Sequence, residues 1–413
     1  MPTSSEPAGN RLRVLVVHNR YQQRGGEDVV VDAESELLGR HGYAVERYIR
    51  TNDEIGAGRS LGSLGLVLDT HWSRRAAYDV ARRIAAFAPD VVHVHNTFPL
   101  VSSSVLWAAA RARVPVVQTI HNFRAFCLQA MFLRDGAVCE DCLGRLPWRG
   151  VTAGCYRGSV AQSMVLASSL TLHRALGTQA RTVARFIALS SFARTKLIAG
   201  GLPAARIVVK PNFIDLPAPA ESRRGGALFV GRLAAEKGIE TLVGALERMP
   251  EVRMRVLGDG PERARFAHLA NAELAGRCEP AEVYERMREA AYLVMPSVSY
   301  EGFPRTIAEA FACGLPVIAS RIGSLAEIVE DGVHGLLVEP RSSEALAAAI
   351  NWAERNPAAL ARMGANARRE YERRYTGERN QMLIGSIYGE AMALEKENKD
   401  VGARGSGRGA EVW

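Results

Sequence analysis

Short apolar runs recur along this chain, each followed by a longer amphipathic stretch, and that alternation narrows the fold more than any other feature. Val14–His18, Ala44–Ile49, Val91–His95, Pro115–Thr119, Phe186–Leu189 and Ile207–Lys210 read as strands of a first half. Glu27–Leu38, Arg75–Phe87 and Ser104–Arg113 read as helices between them. Strands that alternate with helices pair in parallel, because the helices must cover both faces of the sheet. The pattern then starts again with Ala227–Val230, Met254–Leu257, Tyr292–Met295, Pro316–Ala319 and Gly335–Val338. A chain of 413 residues is too long for one ordinary core. The break at Leu216–Gly226, a Pro-Ala-Pro-Ala run before charged residues and a Gly pair, reads as a linker. The expected class is α/β: two Rossmann-like, doubly wound parallel sheets facing a cleft. Ligands in such sheets bind beyond the carboxyl ends of the strands, so the loops there carry the function.

One of those loops is rich in chemistry. Tyr300–Ala310 follows the apolar run Tyr292–Met295 and opens an amphipathic segment that reads as a helix. Pro304 suits its first turn, where a missing N–H costs nothing. Gly302 lets the backbone approach a ligand, and the free N–H groups of a helix start seat a phosphate. Glu301 and Glu309 bracket that seat, eight positions apart. Two acids around an anion seat suit a sugar nucleotide, whose hydroxyls need acceptors and whose diphosphate needs donors. After the strand ending at Val230 comes Gly231-Arg232, with Lys237 five positions beyond Arg232. A fork and a point charge at that spacing can clamp a diphosphate, although such a pair alone is most often a solvated surface. Leu257–Pro261 is a weak G-x-G signal and reads as a tight turn lining the cleft. Arg24-Gly25-Gly26-Glu27 after the first strand reads, by itself, as a turn. His93 and His95 stand at alternate strand positions and share a face, with His95 toward the cleft mouth and His93 structural.

The stretch Glu301-Gly302-Phe303-Pro304-x4-Glu309-Ala310, followed by Gly314–Ala319, resembles the retaining glycosyltransferases of family 4, which have the GT-B fold. The resemblance spans roughly residues 12 to 390. It implies that Arg232 and Lys237 bind the donor phosphates with backbone donors from Gly302 to Thr306, and that Phe303 and Pro304 belong to the same donor site. Glu301 would then face the donor sugar and Glu309 the ribose. Gly25 and Gly26 would close over the phosphates beside Gly231, His121 would lie close to the donor sugar, and Cys278–Tyr284 would border the nucleobase. Glu27, His95 and Asn122 fall on the acceptor side. The division expected is an acceptor-side domain, 1–218, with a Cys-rich insertion at 122–158, and a nucleotide-sugar domain, 219–375. A helix at 376–396 returns to the first domain, and a disordered tail fills 397–413.

The implied reaction moves a sugar from a nucleoside-diphosphate sugar, of the UDP or GDP type, to a hydroxyl with retention. Polysaccharide, lipid-linked glycan and small-molecule natural-product acceptors all fit. No catalytic metal is expected. An epimerase or phosphorylase on the same fold, or a nucleotide-sugar binding module without turnover, are the alternatives.

Four cysteines, Cys127, Cys139, Cys142 and Cys155, form C-x11-C-x2-C-x12-C. A structural zinc held by four thiolates is one reading, and reduced thiols or a redox pair the other. Cys278 and Cys313 read as ordinary buried thiols. The formal charge of +8 suits anionic substrates or an anionic membrane face. The arginines are spread through helices rather than gathered in one basic run with aromatics, which disfavours nucleic acid. Ser159–Ala184 reads as an amphipathic helix packed on its own domain, with peripheral membrane contact as the alternative. The polar lead Met1–Asn10 shows no signal-peptide pattern and no spanning helix is expected, so a cytoplasmic protein follows.

Overall fold

The computed structural model describes residues 11–56, 64–217 and 224–406, with side chains as far as 397. The polar lead and part of the linker, 218–223, therefore lie outside the described residues. Chain order gives β1 (Arg13–Arg20), α1 (Gly26–Arg40), β2 (Ala44–Thr51), α2 (Leu64–Trp72), α3 (Arg74–Phe87), β3 (Val91–Val94), α4 (Ser104–Arg111) and β4 (Val116–Ile120). A small hairpin follows, β5 (Leu133–Arg134) with β6 (Ala137–Val138). Then come α5 (Trp148–Thr152), α6 (Val160–Ala175), α7 (Thr178–Thr182), β7 (Arg185–Ala188), α8 (Ser191–Ala199) and β8 (Ile207–Val209). The second half holds β9 (Ala227–Val230), α9 (Ile239–Leu246), β10 (Met254–Leu257), β11 (Ala272–Gly276), α10 (Pro280–Glu289) and β12 (Tyr292–Met295). It closes with α11 (Arg305–Ala312), β13 (Val317–Ser320), α12 (Gly323–Ile328), β14 (Gly335–Val338), α13 (Ser343–Arg355), α14 (Pro357–Arg374) and α15 (Gly377–Ser406).

Two six-stranded parallel sheets result, in the orders β2-β1-β3-β4-β7-β8 and β11-β10-β9-β12-β13-β14. Their strands are apolar on both faces, as in β1, whose six inner residues are all buried. One face of the first sheet packs Leu15, Val17, Val92 and Val94 against α3, α4 and α8 residues, the other packs Val14, Val16, Val91 and Val117. That second face is covered by Ile384, Ile387, Tyr388 and Ala391 of α15. Each such fully buried aliphatic contributes about 1.5–3 kcal/mol. The chain thus crosses between the sheets twice, and the crossings meet: Ile214 N donates to Tyr375 O (2.9 Å), and Tyr371 Oη donates to Ile214 O (2.9 Å).

Two expectations need correcting, and one strand was not expected at all. Ser159–Ala184 is not one helix: α6 ends and α7 begins at Gly177, whose φ of +60° breaks the helical path. Strand β11 at the sheet edge, Ala-Glu-Leu-Ala-Gly, carries too little β propensity to be read from sequence. The last helix runs on to Ser406, past the start of the expected tail, because Met392–Lys399 is a run of good helix formers. The end of that tail, 407–413, lies outside the described residues.

Candidate active site

In each sheet the strand order reverses at one point, between β1 and β3 in the first and between β9 and β12 in the second. Loops leaving these strands open a crevice there. The structure has a cleft of about 1380 Å³ at that place, walled by both halves of the chain. From the first half come Gly25, Gly26, Glu27, His121 and Asn122; from the second come Gly231, Arg232, Lys237, Glu301, Gly302 and Phe303.

On the second-half wall, Lys237 Nζ donates to Glu301 Oε1 (2.8 Å), and Ser297 Oγ donates to the same oxygen (2.8 Å). Ser324 Oγ donates to Glu301 O (2.6 Å), which fixes the backbone ahead of α11. The Arg232 guanidinium pairs with Glu236 and stays largely exposed to the cleft. The glycines here are steric necessities: a Cβ on Gly258 would fall 1.9 Å from Gly231 O, and one on Gly302 would fall 2.3 Å from His121 O. Glu309, one turn into α11, accepts from Arg305 Nε (2.8 Å) and Tyr284 Oη (3.4 Å). Its side chain is only 14% exposed, and that burial raises its carboxyl pKa against the pull of Arg305. Pro304, Thr306 and Glu309 stand behind the wall rather than on it, while Arg305 is on it. Arg277, Cys278 and Val283 line the far end. Cys278 is therefore a half-buried cleft residue, not an ordinary core thiol; its loop leaves the edge strand β11.

On the first-half wall, Gly25 precedes α1 and its N–H donates to Asp28 Oδ2 (2.8 Å), whose other oxygen lies 2.7 Å from His18 Nε2. Asn122 Nδ2 donates to Glu27 Oε1 (2.5 Å) and Tyr21 Oη donates to Glu27 Oε2 (3.1 Å). His121 Nε2 lies 2.9 Å from His95 Nδ1, with the two rings stacked. His95 is buried and faces a second, smaller cavity of about 120 Å³, which adjoins the cleft at Glu27, His121, Asn122 and Arg124. Below it, His93 lies 2.8 Å from both Thr119 Oγ1 and Tyr388 Oη. Burial holds all three imidazoles neutral at pH 7: His121 and His95 are lowered, and His93 falls to about 4.

The floor of this array is a buried ion pair. Lys210 Nζ donates to Glu34 Oε2 (2.6 Å), and both side chains are fully enclosed. Burial pulls the Glu34 carboxyl upward, but the Lys210 ammonium overrides it and leaves the pKa below its ordinary value. Among the described residues, Glu34, His93 and His95 are the one set of three ligand types whose donor atoms lie within 4.8 Å of one another. Lys210 already supplies the cation there. Cys127, Cys139, Cys142 and Cys155, for which structural zinc and reduced thiols are the two readings, lie in one insertion of the first half. No three of their sulfurs come that close among the described residues, and all four are free thiols. Cys127 packs into the core under the first sheet and Cys155 against a cluster of Leu128, Val151 and Leu166. The thiols stay within electrostatic reach, and burial together with the neighbouring thiols raises the pKa of Cys142 and Cys155.

Two family profiles match this chain: Glycosyltransferase Family 4 over residues 24–217 and Glycosyl transferases group 1 over 219–370. The chain belongs to glycosyltransferase family 4. Its similarity to individual members is moderate. It is 34% identical over 169 residues to an uncharacterized glycosyltransferase of Methanocaldococcus jannaschii, covering 40% of this chain and 47% of that one. It is 29% identical over 300 residues to a glycogen synthase of Mycobacterium tuberculosis, covering 68% and 64%. The chain thus spans less than two thirds of either relative. Among solved structures, Anabaena HepE in complex with UDP aligns with a TM-score of 0.64 at 20% identity, over 92% of this chain and all of that one, which gives the GT-B fold.

Several residues that brace the cleft are not legible in the sequence. Lys210, at the end of an otherwise apolar strand, was the one detectable signal of the buried pair, since a lone cation there needs a partner. Arg124 packs over Phe98 and Tyr156 at the junction of cleft and cavity. Glu327, from α12, accepts from Ser191 N (2.8 Å) and Phe192 N (2.6 Å) and so ties the second half to the start of α8. These are contacts between distant segments, and no local pattern announces them.

Proposed function

We propose that this chain is an enzyme that transfers a sugar from a nucleoside-diphosphate sugar to a hydroxyl acceptor, with retention at the anomeric carbon. The observation that carries the reading is the Lys237–Glu301 pair, set beside the start of α11 and across the cleft from His121. The Lys237 ammonium, the exposed Arg232 guanidinium and the N–H groups opening α11 can receive the diphosphate. Charge grows on that diphosphate as the sugar leaves, and preorganised donors lower the barrier most where charge develops. Glu301 and backbone groups from Gly302 to Thr306 would orient the sugar, and Glu309 the ribose hydroxyls. The leaving phosphate oxygen takes the acceptor proton on the same face, so neutral His121 orients and need not act as a base. A UDP-type donor is favoured by the HepE complex. Glu27, Asn122 and His95, at the mouth of the smaller cavity, face the acceptor.

The test is turnover. Incubation with UDP-glucose and with GDP-mannose, followed by release of the nucleoside diphosphate, should show sugar-dependent release with one of them. Arg232→Ala should abolish release, and the product's anomeric proton should keep the donor's configuration. Tight nucleotide-sugar binding without release in any acceptor mixture would make the chain a binding module instead.

A further inference from the structure

We infer that α2, α5 and α6 form a docking face for an anionic lipid bilayer. The first observation is charge segregation. Residues 142–214 hold ten of the chain's 52 Lys and Arg and none of its 44 Asp and Glu. Among the described residues, Arg145, Arg157, Arg174 and Arg181 have no carboxylate in ion-pair range, and all four are exposed. A surface that leaves its cations unpaired over so long a stretch suits an anionic partner.

The second observation is independent of charge. Large apolar side chains exposed to solvent gather on α5, α6 and the neighbouring α2. Leu64 and Leu68 stand one turn apart on α2, and Val160, Met164 and Leu172 follow one stripe of α6, with Leu176 capping its C-terminal end. Leu64 is 75% exposed and Leu68 61%, so both face away from the core. The elements are neighbours in space: Ser169 Oγ donates to Thr70 O (3.0 Å) between α6 and α2. Arg174 of α6 donates to Arg145 O (2.7 Å), which brings Leu146 and Trp148 alongside. Apolar side chains flanked by unpaired arginines fit the boundary between lipid headgroups and acyl chains. Nucleic acid would leave the apolar stripe uncovered. No described helix is long and apolar enough to cross a membrane, so the contact is peripheral.

The opposite side of α6 explains why the face sits here. Leu166, Ser169, Leu170 and His173 line the 120 Å³ cavity that adjoins His121 and Glu27. A bilayer on the outer stripe would therefore hold a lipid-linked acceptor one helix away from the site; that last step rests on the proposed transfer, the docking does not.

The test is flotation of the full chain with vesicles of phosphatidylcholine alone and of phosphatidylcholine with phosphatidylglycerol. Each arginine at an anionic surface is worth about fivefold in partitioning. Binding should need phosphatidylglycerol, weaken as salt rises, and fall at least tenfold in Arg145→Glu/Arg157→Glu and in Met164→Asp/Leu172→Asp. All four positions are exposed, and the variants should keep the wild-type melting temperature and nucleotide-induced shift. Three results would overturn the inference. One is vesicle binding indifferent to phosphatidylglycerol or to these variants. Another is retention on DNA that Met164→Asp/Leu172→Asp leaves intact. The third is a dimer in sedimentation that Met164→Asp/Leu172→Asp dissolves. A lost nucleotide shift with normal vesicle binding would instead count against the proposed reaction alone.

Discussion

Gly302 and His121 meet backbone to backbone across the cleft: a Cβ on Gly302 would stand 2.3 Å from the His121 carbonyl oxygen. The contact joins the loop after β12 in the second half to the loop after β4 in the first, and Ser190 Oγ secures it by donating to Gly302 O (3.1 Å). Gly302→Ala must push these walls apart. Overpacking of this kind costs about 1–3 kcal/mol. The variant should melt below wild type and lose at least tenfold in kcat/KM, read by calorimetry and by nucleotide release. An unchanged melting temperature would mean the halves are not held together here.

Lys210→Met leaves the Glu34 carboxylate buried without its cation. Breaking such a pair costs about 3–5 kcal/mol, whereas replacing both partners with apolar groups is often neutral. Denaturant titration should place Lys210→Met far below wild type and Lys210→Met/Glu34→Leu much closer to it. Two equally unstable variants would deny the pairing.

The buried histidines make stability depend on pH in one direction. His93 has a folded pKa of about 4 against an ordinary 6.5, so between those values the unfolded chain binds the extra proton. His95 and His121 are shifted the same way. Their contribution is complete above pH 6.5 and drains away as the pH falls toward 4. Melting temperatures across pH 4–7 should rise with pH, and His93→Asn should flatten the slope. A flat wild-type profile would contradict the buried, neutral imidazoles.

Much of this was legible in the sequence, for a physical reason. Strand–helix alternation is local, and so are the loops that follow strand ends; Glu301, Lys237 and Arg232 sit on the cleft wall as their positions after β12 and β9 require. Arrangements that depend on packing between distant segments were not legible. The spacing of four cysteines leaves zinc and reduced thiols both open, because where each sulfur ends up is set by packing: Cys127 joins the core of the first sheet and Cys155 a separate cluster. His95 stands just past β3, two residues from His93, yet its partners, His121 and the Glu34–Lys210 floor, come from three other segments.

Arg305 and Glu309 separate two roles for the acid behind the wall. If Glu309 serves only to hold Arg305, Glu309→Gln keeps a hydrogen bond and nucleotide binding survives. As a ribose acceptor, Glu309→Gln should weaken nucleotide affinity by about tenfold, the loss expected for a hydrogen bond to a charged group. Calorimetric titration with UDP decides it.

The most direct measurement is the thermal shift of the purified chain with a panel of nucleoside diphosphates and nucleotide sugars, compared with Lys237→Ala and Glu309→Ala. Ligands that bind only the folded state raise its melting temperature. The account predicts a shift with one nucleotide, UDP foremost, that both variants lose. No shift with any nucleotide, or one that survives Lys237→Ala, would contradict a donor site built on the Lys237–Glu301 pair.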